Sequence, residues 1–222
     1  DHPVGALGAG ATDIDQIFNS TGTADAVFRS VPGVLSDEQR MELTTMGVSA
    51  GRHVLKGATS CIGGSRGGLV LRRALDLLGA RHGDRRDEID AAWSPNINFR
   101  DVIDLTQHKS ISNDITIVVT GDAGPNELWA AALDYMANEN KKFLAGLDKV
   151  VGKHSSALAA GGWIRMRSVR EVKSSVIDGL RFSDVDEAGA LGAAYMGSWA
   201  GQQKGDSLIA HIEERTTTHA NK

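Results

Sequence analysis

The sequence predicts an α/β fold, in which short strands alternate with amphipathic helices and glycines mark the joins. Three observations carry this. Two strand-like stretches, Gln16 to Ser20 and Ala24 to Ser30, flank a Thr21-Gly22-Thr23 turn. A glycine-rich run from Gly63 to Gly68 opens the amphipathic stretch LVLRRALDLLG, and Gly124-Pro125-Asn126 opens a much longer helical stretch.

Each element has its own justification. Pro3 falls at an N1 position of a short Gly/Ala-rich helix after Asp1, where its missing N–H and fixed φ cost nothing. The two strands and their turn follow. Ser36-Asp37-Glu38-Gln39 has capping-box spacing, which predicts a short helix through Met41 to Thr45 that stops at Gly47. Arg52 to Ser60 reads as a strand. Beyond the glycine-rich run, Leu71, Leu75 and Leu78 recur at helical spacing and Gly79 supplies the stop. From Arg81 to Ser112 the chain is polar and irregular, which predicts a short helix and an exposed excursion.

Asp114 to Thr120 is β-branched enough to be a buried strand. The long helix puts Leu128, Ala132, Tyr135, Phe143, Leu147 and Val150 roughly on one side and ends at Gly152. His154 to Ala160 reads as a strand running into Gly161-Gly162, and Ser168 to Ile177 as a helix ended by Gly179. Arg167, Arg170 and Lys173 read as a solvated face of that helix. Small residues from Glu187 to Ala194 open a closely packing helix capped by Asp184 or Asp186. Leu208, Ile209 and Ile212 make the following segment amphipathic, and no internal repeat or linker divides the chain.

Composition narrows the function classes. The 222 residues suffice for one large domain or two small ones, and 26 glycines against 4 prolines predict many tight turns and close backbone approaches. A net charge of −4 with interspersed signs leaves no basic stripe, which argues against a nucleic-acid partner. The single cysteine, Cys61, cannot close an internal disulfide and fits a reducing, cytoplasmic setting. No apolar run approaches the roughly 18 residues of a membrane span, and no signal segment opens the chain, so no membrane partner is expected. The histidines show no HxH or HxxxH pairing, which disfavours a metal hydrolase. Asp1 opens the chain inside a motif, with no initiator Met, so a piece of a longer protein is expected.

Two stretches bear on chemistry, each with two readings. The Thr21-Gly22-Thr23 turn is an ordinary hairpin turn, or its backbone N–H groups and a hydroxyl cradle an anion while a nearby carboxylate, Asp1, takes a proton from an attacking alcohol. The run from Gly63 to Gly68 is a common loop, or an anion site at a helix start.

Three ordered blocks then carry a resemblance. DHPVGALGAG with STGTADAV, RHVLKG with GGLVLRRALDLLG, and GGWIRMRSVREVK with DVDEAGALGAAYMG together resemble the C-terminal half of the FGGY carbohydrate kinases, the family of xylulokinase, glycerol kinase and gluconate kinase. The resemblance covers nearly the whole chain. It implies an actin-like ATPase (ribonuclease H-like) fold, a mixed sheet flanked by helices. Residues 1–222 would be the second, nucleotide-side domain of a two-domain kinase whose N-terminal domain is absent from this chain.

By position, the resemblance implies that Asp1 is the catalytic aspartate that activates the sugar hydroxyl. Gly22 and Thr23 fall on the second phosphate loop, Gly68 and Arg72 on the helix start lining the nucleotide site, and Gly161 and Gly162 on the adenosine motif. Family members commonly write that motif GGGARS. Here it reads GGWIRM, so Arg165 matches, whereas Trp163 replaces a small residue and Met166 a polar one at the adenine or ribose contact.

The implied function is phosphorylation of a hydroxyl of a sugar or polyol, with ATP/ADP and Mg2+ as cofactors and turnover lost in the isolated chain. Which sugar or polyol is not legible, and a homodimer stays open. The other reading is a non-catalytic actin-like module that responds to nucleotide; retention of Asp1 favours the enzyme, the altered adenosine motif the module. Asp1 can also be only a charge at a helix start, and Thr23 only a hairpin residue.

Overall fold

The structure, a computed structural model, describes residues 2–107, 114–201 and 207–213. Asp1 lies outside the described residues. A six-stranded mixed sheet forms the centre: β1 (Gln16–Thr21), β2 (Asp25–Pro32), β3 (Val48–Arg52), β4 (Ala58–Ser65), β7 (Ser156–Ala160) and β8 (Leu180–Phe182), in the order β3-β4-β2-β1-β7-β8. The first four strands by chain order pair antiparallel, whereas β7 and β8 add parallel to β1. Parallel addition needs crossovers, and helices supply them. The helices are α1 (His2–Ala9), α2 (Asp37–Thr45), α3 (Gly67–Leu77), α4 (Asp84–Ala92), α5 (Pro125–Val151), α6 (Arg167–Val176) and α7 (Ala188–Gly201), with residues 208–213 helical as well. This is the predicted α/β class, a mixed sheet flanked by helices.

Strand alternation sends side chains to two cores. Ile17, Val27, Val31, Cys61 and Ala157 face Phe143, Leu144 and Leu147 of α5 and Leu43 of α2. Phe18, Phe28, Leu158 and Ala160 face the other way, onto Ala6 and Ala9 of α1 and Ala188 of α7. The helices of the second layer approach very closely, because Cβ atoms at Gly8 and Gly192 would overlap the carbonyl oxygens of Ala188 and Val4 respectively. A third cluster joins Leu71 and Leu75 of α3 to Trp129, Leu133 and Met136 of α5.

Helix ends follow the predicted chemistry. Ser36 Oγ accepts from Gln39 N at 3.2 Å while Gln39 Oε1 accepts from Ser36 N at 3.0 Å, the reciprocal capping box of α2. Gly152 closes α5 with φ +87°. At the far end of the strands, fully buried Arg29 donates to Asp148 at 2.9 Å and to Asp15, tying β2 to α5. No described helix is long and apolar enough to cross a membrane.

Four sequence expectations are corrected. Arg52 to Ser60 is no single strand: β3 ends at Arg52, a turn closed by Gly57 (φ +82°) follows, and β4 begins at Ala58. Val54 and Leu55, apolar in the turn, gave it a strand's composition. The glycines at 63 and 64 lie inside β4 rather than in a loop; a Cβ at Gly63 would strike the Phe143 ring, so that strand needs glycine to pack under α5. The DITIVVT stretch forms β6 (Ile115–Val119), which among the described residues pairs with β5 (Ile103–Gln107) in a separate two-stranded sheet. Its Val118 and Val119 are 47% and 55% exposed, so β-branching reported strand but not burial. Lys173 is fully buried and belongs to no solvated face.

Candidate functional site

The β1–β2 turn is the hub. Its chain reversal is closed by Gly22 N donating to Ala24 O at 2.9 Å. Two other backbone segments press against it. A Cβ at Gly68, in the first turn of α3, would overlap the Gly22 carbonyl and come 2.9 Å from Trp163 Nε1. Gly161, at the end of β7, has φ +121° and a Cβ there would overlap the Thr21 carbonyl. Both positions therefore exclude side chains, Gly68 for want of space and Gly161 for φ as well.

The convergence opens a cleft of about 310 Å³ beside the turn, at the small end for ligand sites. Gly22, Thr23, Arg72 and Gly162 all line it, together with Trp163. Space around Gly162 is open, with nothing within 4 Å of where a Cβ would stand. Thr23 borders a second cleft of about 490 Å³ on the other side, lined by His2 of α1 and Arg66. One exposed threonine thus stands between the two recesses.

The remaining predicted residues lie elsewhere. Arg165 sits at the end of a 3-10 turn (Gly162–Arg165), pairs with Asp186 at 2.6 Å across the surface, and lines, together with Gly161 and Gly162, a second recess of about 200 Å³. Met166 is 5% exposed and packs in the core with Val169 and Trp129. Its side chain does not line the cleft, because the turn that exposes Trp163 rotates Met166 inward.

Beneath the hub lies a buried polar cluster that sequence reasoning missed. Asp25, the first residue of β2, accepts from Lys173 Nζ of α6 at 2.9 Å and 3.1 Å, and Lys173 also donates to Asn19 Oδ1 at 2.6 Å. Asn140 of α5 donates to Asp25, and Asn19 Nδ2 to Asn140 Oδ1 at 3.1 Å. Burial pushes the Lys173 ammonium down from its usual range, with Asp25 opposing. Four elements are thereby tied under the turn. The available signal was Lys173 four residues after buried Val169, on one helix face, and an acid opening the largely apolar Asp25–Phe28 run of β2.

No family model matches this chain, and no curated protein does. Solved structures do. A xylulose kinase from Brucella ovis superposes with a TM-score of 0.75 at 17% identity, over 96% of this chain and 44% of that one. The xylulose kinase from Rhodospirillum rubrum gives 0.71 at 18%, over 96% and 43%. Plasmodium falciparum glycerol kinase, solved with ADP, gives 0.71 at 16%, over 96% and 44%. The fold is the actin-like ATPase fold of sugar kinases. The solved proteins that share it here are FGGY-type carbohydrate kinases, and the chain spans less than half the length of each of these three.

The cleft residues fit a nucleotide: backbone at the turn, arginines on the rim, open space at Gly162, and no carboxylate among the described lining residues. Among the described residues, no group of three or more His, Cys, Asp or Glu side chains is placed to hold a metal ion.

Proposed function

We propose that this chain is the nucleotide-side, C-terminal domain of a two-domain carbohydrate kinase that transfers a phosphoryl group from ATP to a hydroxyl of a sugar or polyol. The observation that carries the reading is the meeting of the Gly22-Thr23 turn, the α3 start and Gly161-Gly162 at one cleft, in a fold shared with sugar and polyol kinases. Phosphoryl transfer demands positioning and charge stabilisation more than covalent work by the protein. Backbone N–H groups and the Thr23 hydroxyl would hold the terminal phosphates, and Arg72 would add charge. Asp1, preceding α1, would accept the proton of the attacking hydroxyl. Magnesium, when bound, neutralises phosphate charge and is commonly carried by the phosphates themselves.

Steady-state kinetics of Asp1→Asn in the complete protein, beside ADP titration, test this. The expected loss in kcat is about 10²–10⁴-fold with little change in ADP affinity. Retained kcat would remove Asp1 from the mechanism. Nucleotide binding without turnover on any sugar or polyol, in the complete unmutated protein, would favour the non-catalytic module.

A further inference from the structure

The far wall of the 310 Å³ cleft has a composition that the proposed phosphate contacts do not use. From Gly67 to Leu77 α3 extends about 15 Å. With the phosphates at Gly22-Thr23, as proposed, the base of a nucleotide in this cleft would extend along α3 toward Arg81 and Arg86, which line it beyond the helix end. The walls between are the Trp163 indole, Leu75 and Arg72.

Trp163 is held in place from behind. It packs on Trp129 with ring centroids 6.5 Å apart, and fully buried Trp129 is itself fixed by donating to Ser168 Oγ at 3.0 Å. What is missing is a reader of the base edge. Arginine offers donors only, whereas the exocyclic amines of adenine and cytosine need acceptors. No carboxylate or carboxamide stands among the described lining residues, and His82 is exposed at the rim. Nearby carbonyls are engaged: Leu78 O accepts from Arg85 Nε at 3.0 Å, Leu75 O from Ala80 N at 2.8 Å and Ala74 O from Leu78 N at 3.1 Å. Arg81 and Arg86 already lie beside Asp76 and Asp87, at 3.5 Å and 3.4 Å.

We infer that this cleft grips a nucleotide base by its faces, against Trp163 and the arginine planes, and does not read its edge, so that purine and pyrimidine nucleotides alike are accepted. The inference rests on the proposed nucleotide reading of the cleft. Every base has a π-face, so stacking tolerates sequence, and arginine planes stack on aromatic rings as well.

The test is calorimetric titration of the 222-residue chain with ADP, GDP, CDP and UDP, repeated on Trp163→Ala and Trp163→Phe, with unfolding midpoints measured in parallel. The four affinities are expected to fall within about tenfold of one another. Trp163→Ala should weaken all four by a common factor of about 5–150, and Trp163→Phe should retain most of the binding. Preference for one base by more than about 30-fold overturns the inference and leaves the nucleotide site standing. So does a folded Trp163→Ala with unchanged affinities. Failure of all four to bind removes the nucleotide reading and the inference together.

Discussion

Lys173 Nζ lies 2.9 Å from Asp25 Oδ1, and neither side chain is reached by solvent. A buried pair of this kind offsets its desolvation only while both partners remain. Lys173→Met should therefore strand the Asp25 carboxylate and lower unfolding free energy by about 3–5 kcal/mol, and adding Asp25→Leu should recover much of that loss. Urea denaturation of the single and double variants checks it. Equal losses in both would mean that packing, not stranded charge, sets the cost.

At Gly68 the added methyl of an alanine would collide with the Gly22 carbonyl, which is backbone and cannot rotate away. Gly68→Ala is expected to displace the turn, lowering stability by about 1–3 kcal/mol and weakening ADP binding. Gly162→Val, facing open space, should fold normally while weakening ADP binding. The comparison of melting and titration for the two variants separates a packing glycine from a ligand-facing one.

Cys61 gives a pH signature. Burial pushes its thiol up from 9.0 to about 11, so the folded state holds a proton that the unfolded chain releases. Stability must then fall as pH rises between those values, by about 1 kcal/mol from pH 9 to pH 10. Tyr135, pushed up to about 12 by burial and Glu139, adds its own loss mostly above pH 10. Cys61→Ala should flatten the lower window and leave the upper one, as read from denaturation midpoints at each pH.

Gly192→Ala should part α1 from α7, since the new Cβ would overlap the Val4 carbonyl. The expected loss is about 1–3 kcal/mol. Because α1 follows directly on Asp1, turnover of the complete protein should drop more steeply than ADP binding.

Legibility in the sequence tracked locality. The α2 capping box, the Gly152 stop and the β1–β2 turn are written within a few adjacent residues, and each was readable. The β3–β4 boundary was not, because Val54 and Leu55 are apolar in a turn. Nor was the exposure of β6, since burial depends on what packs above a strand rather than on its own composition. Lys173 shows the limit most plainly: its partners Asn19 and Asp25 come from two strands far away in the chain, and a basic residue among Arg167 and Arg170 has the composition of a wet surface. At the site, Gly22, Thr23, Arg72 and Gly162 line one cleft, Arg165 lines a neighbouring recess with Gly161 and Gly162, and Met166 alone is turned into the core, which its composition did not foretell.

The α1–α7 clasp also constrains the order in which the molecule is assembled. Helix α1 is made before the groove that accepts Gly8, which belongs to Ala188 and Gly192 and which a ribosome adding about 5–20 residues per second delivers roughly 10–40 seconds later. Throughout that interval Leu7 lacks the cover that Tyr195, Met196 and Trp199 of α7 give it. The segment next to the proposed proton acceptor, Asp1, is thus locked only once α7 has emerged.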